Sequence, residues 1–425
     1  MKMKIINAIS LFILFIHSSA QASLLLTFDE ATSLALKNNL ELKSAKESFE
    51  AYKLNVKSAY GDFLPELSLG FSYSRLSNEN DRSIKSTSHN YNSSLTITQN
   101  LFNGFSDVAG VKSALSKLLT EEANYQEVSS QVSYDLKSAF AQYYYAKDSL
   151  NLTRDIKKRR EDNLRMVELR FENGRENKGS VLLSKAYLEG AKLDLLKAEN
   201  ALKVSLYYLK RILNLSEDES IELTKAPELK DIKSETTEEN FNELISQTPV
   251  AKKFKATLMS AEANMISGQS NFYPSWNVSG SMEKSGTSFF PDDNKTLKIS
   301  TGLTWSLFNG GSDYYSSQSN NLLVQASQKR FENQLKELKK SLQESFSNYK
   351  EASLAVSVSQ AFLKAAEVRS DIARSKYNNG ISNFDEWDLI ENELINRQKD
   401  FTLKMRERIL AEASWENTQG KGMFP

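Results

Sequence analysis

Four stretches of this chain alternate apolar and polar residues with the period of two that a β-strand imposes. Leu67, Leu69, Phe71 and Tyr73 are interleaved with Ser68, Gly70, Ser72 and Ser74. Tyr91, Leu95, Ile97 and Leu101 alternate with Asn92, Ser94, Thr96, Thr98 and Asn100. Trp276, Val278 and Met282, then Leu297, Ile299, Leu303, Trp305 and Leu307, repeat the scheme in the second half. The predicted strands are 66–74, 91–101, 275–282 and 297–307, with polar loops at Arg75–Asn90 and Glu283–Thr296. Each is about ten residues, the length that crosses a bilayer when tilted. The apolar positions Leu69, Phe71, Leu95, Ile97, Val278, Ile299, Leu303 and Trp305 are the expected lipid-facing set. A half-buried sheet of a soluble protein would show the same alternation.

Elsewhere the spacing is helical. Residues 29–63 predict a helix stopped by Pro65. From Ser106 to Glu172 there is no proline and one glycine, Gly110, and from Ser312 to Asn378 there is neither. At 1.5 Å per residue each helix would be roughly 100 Å long. Val111, Leu115, Leu118, Tyr125, Val132, Leu136, Ala139 and Tyr143 recur with 4-3 spacing, as do Leu335, Leu338, Leu342, Tyr349, Ala352 and Val356. That period of 3.5 residues predicts left-handed coiling around neighbours. Both helices end at Asn-Gly, a suitable left-handed cap, and returning helices are predicted at 181–213 and 384–419. Residues 214–245 read as a connector.

The elements occur twice. Pro65 and Pro274 precede strands, Leu101-Phe102-Asn103-Gly104 and Leu307-Phe308-Asn309-Gly310 precede long helices, and Asn173-Gly174 and Asn379-Gly380 end them. The offsets are 209, 206 and 206 residues, which is an internal duplication. The expected division is 1–22 signal peptide, 23–245 first repeat and 246–425 second repeat. Lys2 and Lys4, the apolar run Ile5–Ile16 and Ala20-Gln21-Ala22 form that signal. It predicts export.

Without Lys2 and Lys4 the chain has 52 basic and 54 acidic residues, so no nucleic-acid partner is expected. Cysteine is absent, which excludes disulfides and thiolate metal sites. Only His89 remains beyond the signal, too little for a histidine metal site or a catalytic triad. Gly174-x4-Gly179-Ser180 lacks the lysine of a phosphate loop, and Lys157-Lys158-Arg159-Arg160 reads as a solvated helix face. No enzyme activity, cofactor or metal is expected.

Four strands cannot close a barrel, and open edges are not tolerated in lipid. Other subunits must complete it: two chains would give eight strands and three would give twelve. A barrel continued by long helical hairpins is a conduit. A non-conducting coiled-coil structural or adhesion protein of the envelope is the other class.

Taken together, the Pro-strand starts, the Leu-Phe-Asn-Gly pair, the Arg-Phe-x-Asn-Gly helix end and their duplication resemble the TolC-type outer-membrane efflux family over essentially the whole chain beyond the signal. Asp29-Glu30-Ala31 to Asn39-Leu40-Glu41-Leu42 is similar to that family's opening helix. The resemblance implies a mixed α and β fold: a homotrimer with a 12-stranded transmembrane β-barrel in the cell outer membrane, a periplasmic coiled-coil α-barrel, and an equatorial belt that includes 214–245 and the C-terminal tail. It implies a periplasmic adaptor (membrane fusion) protein and an inner-membrane transporter as partners, for efflux or type I secretion. It also places a gate at the periplasmic tip. Tyr377 matches a gating tyrosine, Glu386 keeps an acid six residues beyond Gly380, and Ser180 stands where aspartate is common, six beyond Gly174. Ser382 replaces an arginine, for which Arg175 is the candidate substitute. Asp385 and Asp388 join Glu386 as candidates for an acidic ring.

Overall fold

The structure, a computed structural model, describes residues 24–79, 85–224 and 238–422. The expected signal peptide lies outside the described residues, as do 80–84 and 225–237 of the expected first loop and connector. Among the described residues no helix is long and apolar enough to cross a membrane.

The first half runs β1 (Leu24–Leu26), α1 (Phe28–Asn38), α2 (Leu40–Ala59), β2 (Glu66–Glu79), β3 (Lys85–Asn103), α3 (Ser106–Glu172) and α4 (Lys178–Leu213). After β4 (Ile221–Leu223) and α5 (Glu238–Gln247) come α6 (Pro249–Gln269), β5 (Ser275–Gly286), β6 (Asn294–Thr304), α7 (Ser312–Asn378) and α8 (Phe384–Thr418). The order of helix, strand pair and long helical hairpin is therefore present twice.

The predicted helix over 29–63 is broken. Asn39 leaves helical geometry (ψ 126°), caps α2 by accepting from the Leu42 N–H at 3.0 Å, and donates to the Ile212 carbonyl at 2.9 Å. A buried asparagine amide with those partners outweighs continuing the helix, and α1 swings onto α3 and α4. The expected boundary at 245/246 falls inside α5, which packs with α6 and α7.

Strands β2-β3-β5-β6 form one antiparallel sheet, and β1 pairs parallel with β4. Pairing extends beyond the apolar stretches. Most of Arg75–Asn90, expected as loop, is strand, with Arg75 opposite His89 and Ser77 opposite Thr87. Backbone hydrogen bonding needs no apolar side chain, so the ladder continues where the alternation fades. Similarly β5 runs to Gly286 and β6 starts at Asn294, which shortens the expected second loop.

The register gathers the expected apolar set onto one face. Leu69 pairs with Leu95, Leu67 with Ile97 and Phe71 with Ser93. Leu95 in turn pairs with Met282, and Gln99 with Val278. Gly280 faces Ile299 and Trp276 faces Leu303. A bulge between Asn100 and Phe102 leaves Leu101 without a cross-strand partner and puts Phe102 opposite Trp276. Trp305 is not in a strand: β6, an edge without a further partner among the described residues, ends at Thr304, and the Trp305 indole donates to the Phe272 carbonyl at 3.2 Å. The opposite face is lined by Ser68, Ser94, Thr96, Ser279 and Ser300, the last two hydrogen-bonded at 2.9 Å. The apolar face is exposed, with Ile299 at 80% and Phe71 at 71%. Water does not reward that arrangement and lipid does.

The turn into α3 depends on Gly104. Its φ is +66°, and a Cβ there would meet the Ser270 carbonyl oxygen at 2.3 Å, so no other residue fits. Below the sheet the hairpins α3–α4 and α7–α8 lie side by side. Val132, Leu136, Ala139 and Tyr143 of the predicted 4-3 stripe are buried, as are Leu338, Leu342, Tyr349 and Val356 of its counterpart. Two thickened cores sit mid-hairpin. One joins Leu26, Ala31, Leu136, Phe140, Leu209 and Ile221, and the other Phe241, Ile245, Leu342, Tyr349 and Trp415.

Candidate functional site: the paired hairpin tips

The two hairpins end in turns of the same construction. Gly174 (φ +72°) and Gly380 (φ +73°) each follow the helix cap. The Arg175 N–H reaches the Arg170 carbonyl at 2.8 Å, and the Ile381 N–H reaches the Lys376 carbonyl at 2.9 Å, the six-to-one bond of a Schellman ending. An asparagine then opens each return helix. Asn177 accepts from the Ser180 N–H at 3.0 Å, and Asn383 from the Glu386 N–H at 2.8 Å. The motif Asn-Gly-x-x-Asn thus encodes the tip twice.

Side chains make the two turns complementary. Tyr377 is fully buried and stacks on Trp387, with centroids 4.6 Å apart and planes within 1°. Its hydroxyl donates to Glu176 Oε2 at 2.8 Å across to the first hairpin. The Arg170 guanidinium lies over the Tyr377 ring at 4.3 Å and donates to the Tyr377 carbonyl at 2.7 Å. Burial, then the hydrogen bond and charge of Glu176, push the Tyr377 phenol well above its ordinary range, so it is a permanent donor. Glu176 Oε1 also accepts from the Ser180 hydroxyl at 3.0 Å. Ser180 therefore serves the interior of the turn.

Helix α8 divides its acids by face. Phe384, Trp387, Asp388 and Glu391 recur at helical spacing and turn toward the other helices, whereas Asp385 and Glu386 are exposed. Asp388 is thus withdrawn from the expected acidic ring. It accepts from the Tyr187 hydroxyl at 3.1 Å and the Asn392 amide at 2.9 Å, beside Arg160 at 3.9 Å. Burial lifts the Asp388 carboxyl above its usual value. Arg175 is exposed and acts through its backbone, and the arginine against Tyr377 is Arg170.

Sequence reasoning missed a second polar layer above the tip. Glu391 is fully buried. Arg159 grips it with two bonds, Nε to Oε2 at 2.7 Å and Nη2 to Oε1 at 3.0 Å, and the Ser370 hydroxyl donates at 2.7 Å. Arg374 stands at 3.6 Å. Burial alone would raise Glu391, but Arg159, Ser370 and Arg374 together hold it below the usual glutamate value. The sequence signal was present in Arg159, inside a charged run read as solvated, and in a glutamate on the Trp387 face.

Residues 31–215 and 241–411 match the family model described as outer membrane efflux protein. The chain belongs to the outer membrane efflux protein family. Its structure is similar to CusC (16% identity, 93% of this chain and 92% of that one, TM-score 0.82). It is likewise similar to VceC of Vibrio cholerae (16%, 93% and 96%, 0.81) and to the CmeC channel of Campylobacter jejuni (16%, 94% and 87%, 0.80). No curated protein matches the sequence. As an outer membrane efflux protein the chain is a passive channel component, not an enzyme. It sits in the outer membrane and extends into the periplasm. The mixed fold and duplication expected from its residues are those of the family.

Proposed function

We propose that three copies of this chain form the exit duct of a tripartite efflux or type I secretion system. One observation carries the assembly: among the described residues the four-stranded sheet has two unpaired edges, β2 and β6, and an exposed apolar face. Lipid tolerates such a sheet only in a closed barrel, and three copies supply the twelve strands of a channel wide enough for cargo. Leu69, Phe71, Leu95, Ile97, Val278, Ile299 and Leu303 then face lipid, while the serine-rich face lines the lumen. The hairpins need partners too. Leu354 is 67% and Phe362 52% exposed on α7, and Leu196 54% on α4, a stripe that neighbouring copies cover.

In that assembly the tips hang farthest from the outer membrane and meet a periplasmic adaptor and an inner-membrane transporter. Gly174 and Gly380 shape the entrance, Arg170, Glu176 and Tyr377 hold each chain's two turns together, and Asp385 and Glu386 bring exposed negative charge to it. Native mass spectrometry and planar-bilayer conductance test the reading together. A trimer that conducts is expected, with cation preference reduced by Glu386→Ala. A monomer or dimer, or a trimer without conductance, defeats it.

A further inference from the structure

The exposed sheet face carries two lysines where an apolar band belongs. Along β5 that face reads Trp276, Val278, Gly280, Met282, Lys284 and Gly286. Lys284 pairs directly with Lys295 of β6 and, on its other side, with Ser93, which itself faces Phe71. The next rank outward is Tyr73 and Tyr91, and beyond it Arg75 and His89. Trp276 with Phe102 marks one aromatic belt and Tyr73 with Tyr91 the other. About ten residues of a strand tilted by about 45° separate them, roughly 24 Å of height, the thickness of an outer-membrane apolar band. The lysine pair therefore lies one rank inside the belt farthest from the helices.

Two like charges directly opposite each other on a sheet are unfavourable, and on a lipid face they are more so. Asp292 forms an ion pair with Lys284. The same carboxylate also feels the charge of Lys295, which makes no direct ion pair among the described residues. Beside the lysines the β5–β6 loop lays Phe289 against Tyr91 (centroids 5.9 Å), and Tyr91 rests on Tyr73 at 4.9 Å. These rings, with Phe71 and Phe290, line a cavity of about 380 Å³. Phe289 and Phe290 are 72% and 81% exposed. Cations for an anion and an open aromatic cradle for hydrocarbon or sugar thus stand side by side.

We propose that Lys284 and Lys295 bind the phosphate of an acylated glycolipid in the outer leaflet, and that the cradle holds its acyl or sugar portion. The inference rests on the barrel reading, which puts the sheet end opposite the hairpins at the outer leaflet. There the anion is a phosphorylated, multiply acylated glycolipid, whose phosphates sit at the height that two lysines reach by extending upward.

Purified full-length protein in neutral detergent, titrated with bisphosphorylated lipid A and followed by native mass spectrometry, tests it. Retention of the lipid is expected. Each of Lys284→Gln and Lys295→Gln should weaken it about fivefold, and the double variant about thirtyfold. Lipid A stripped of phosphate should bind as weakly as the double variant, and inorganic phosphate should not compete. Equal retention by wild type and double variant overturns the proposal. So does phosphatidylglycerol binding as well as lipid A, or displacement by inorganic phosphate. Conductance of the same preparations separates the two readings: a channel that inserts and conducts but retains no lipid A sinks only this site, whereas failure to insert sinks the barrel.

Discussion

Replacing Glu391 with glutamine should destabilise the chain far more than any exposed acid of the same helix. The carboxylate has no solvent access and is the common partner of Arg159, Arg374 and Ser370. Removing one partner of a buried ion pair costs about 3–5 kcal/mol, because the remaining charge is stranded. Here the arginine side chains keep 24% and 36% exposure, so water recovers part of that. Glutamine also keeps one acceptor for Ser370 or Arg159. The expected cost is therefore about 2–3 kcal/mol. Glu386→Gln, on the exposed face, should change stability by less than about 0.5 kcal/mol. The pH dependence gives an independent check. Glu391 is held below its ordinary value in the folded chain, so its contribution is full above the ordinary glutamate value and is lost as pH falls through the depressed one. Urea unfolding followed by circular dichroism should show a gap between wild type and Glu391→Gln that is widest at neutral pH and closes in acid. An unchanged midpoint at neutral pH, or a gap that does not close, would refute the buried-hub argument.

On the sheet, Ile299→Arg should cost about 2–4 kcal/mol of assembly stability and Ser300→Arg much less, read as trimer yield after detergent extraction. Equal losses would mean the faces are inverted. Tyr377→Phe removes the bond to Glu176 while keeping the Trp387 stack, so resting conductance in single-channel recordings should rise with little change in melting temperature. An unchanged leak would show that this bond does not hold the entrance. Gly104→Ala places a Cβ against the Ser270 carbonyl at a left-handed backbone position, and folded trimer should be nearly absent from outer-membrane fractions. Normal yield there would contradict the close approach.

The fold was legible because its signals are periodic. Strict alternation placed Leu69, Leu95, Val278, Ile299 and Leu303 on one face, and the Asn-Gly pairs placed both hairpin ends. Legibility failed where a single polar group overrode a pattern. Asn39 breaks a helix that its apolar spacing continues, since its gain comes from a carbonyl 173 residues away. The strands run past their predicted ends because backbone pairing outlasts side-chain alternation. Trp305 lies beyond the strand end, where its indole donates to the Phe272 carbonyl. At the tip, Tyr377 was recognisable by resemblance, whereas Glu176, Arg170 and Glu391 act through contacts 201 to 232 residues apart, which no local pattern encodes.

Those contacts explain what the duplication left to divergence. Both repeats keep the elements that local chemistry dictates, namely the strand pair, the long helix, the Schellman ending and the asparagine cap. The residues that join the hairpins are not duplicated. Two hundred and six residues before Tyr377 stands Phe171, which is 42% exposed and has no hydroxyl to offer. The same offset puts Lys185 where the second repeat has Glu391, and Ala365 where the first has Arg159. The first hairpin supplies Arg159, Arg160, Arg170 and Glu176, and the second supplies Glu391, Asp388 and Tyr377. Two identical hairpins would have set like charge against like at these layers. Opposite charge in the two copies lets them pair side by side within one chain at a fixed register, and it leaves exposed apolar side chains such as Leu196 on α4 and Leu354 and Phe362 on α7 along the outer flanks. A chain whose hairpins are each joined on one flank and open on the other, with apolar side chains left uncovered there, can close a ring only by adding further copies in the same order.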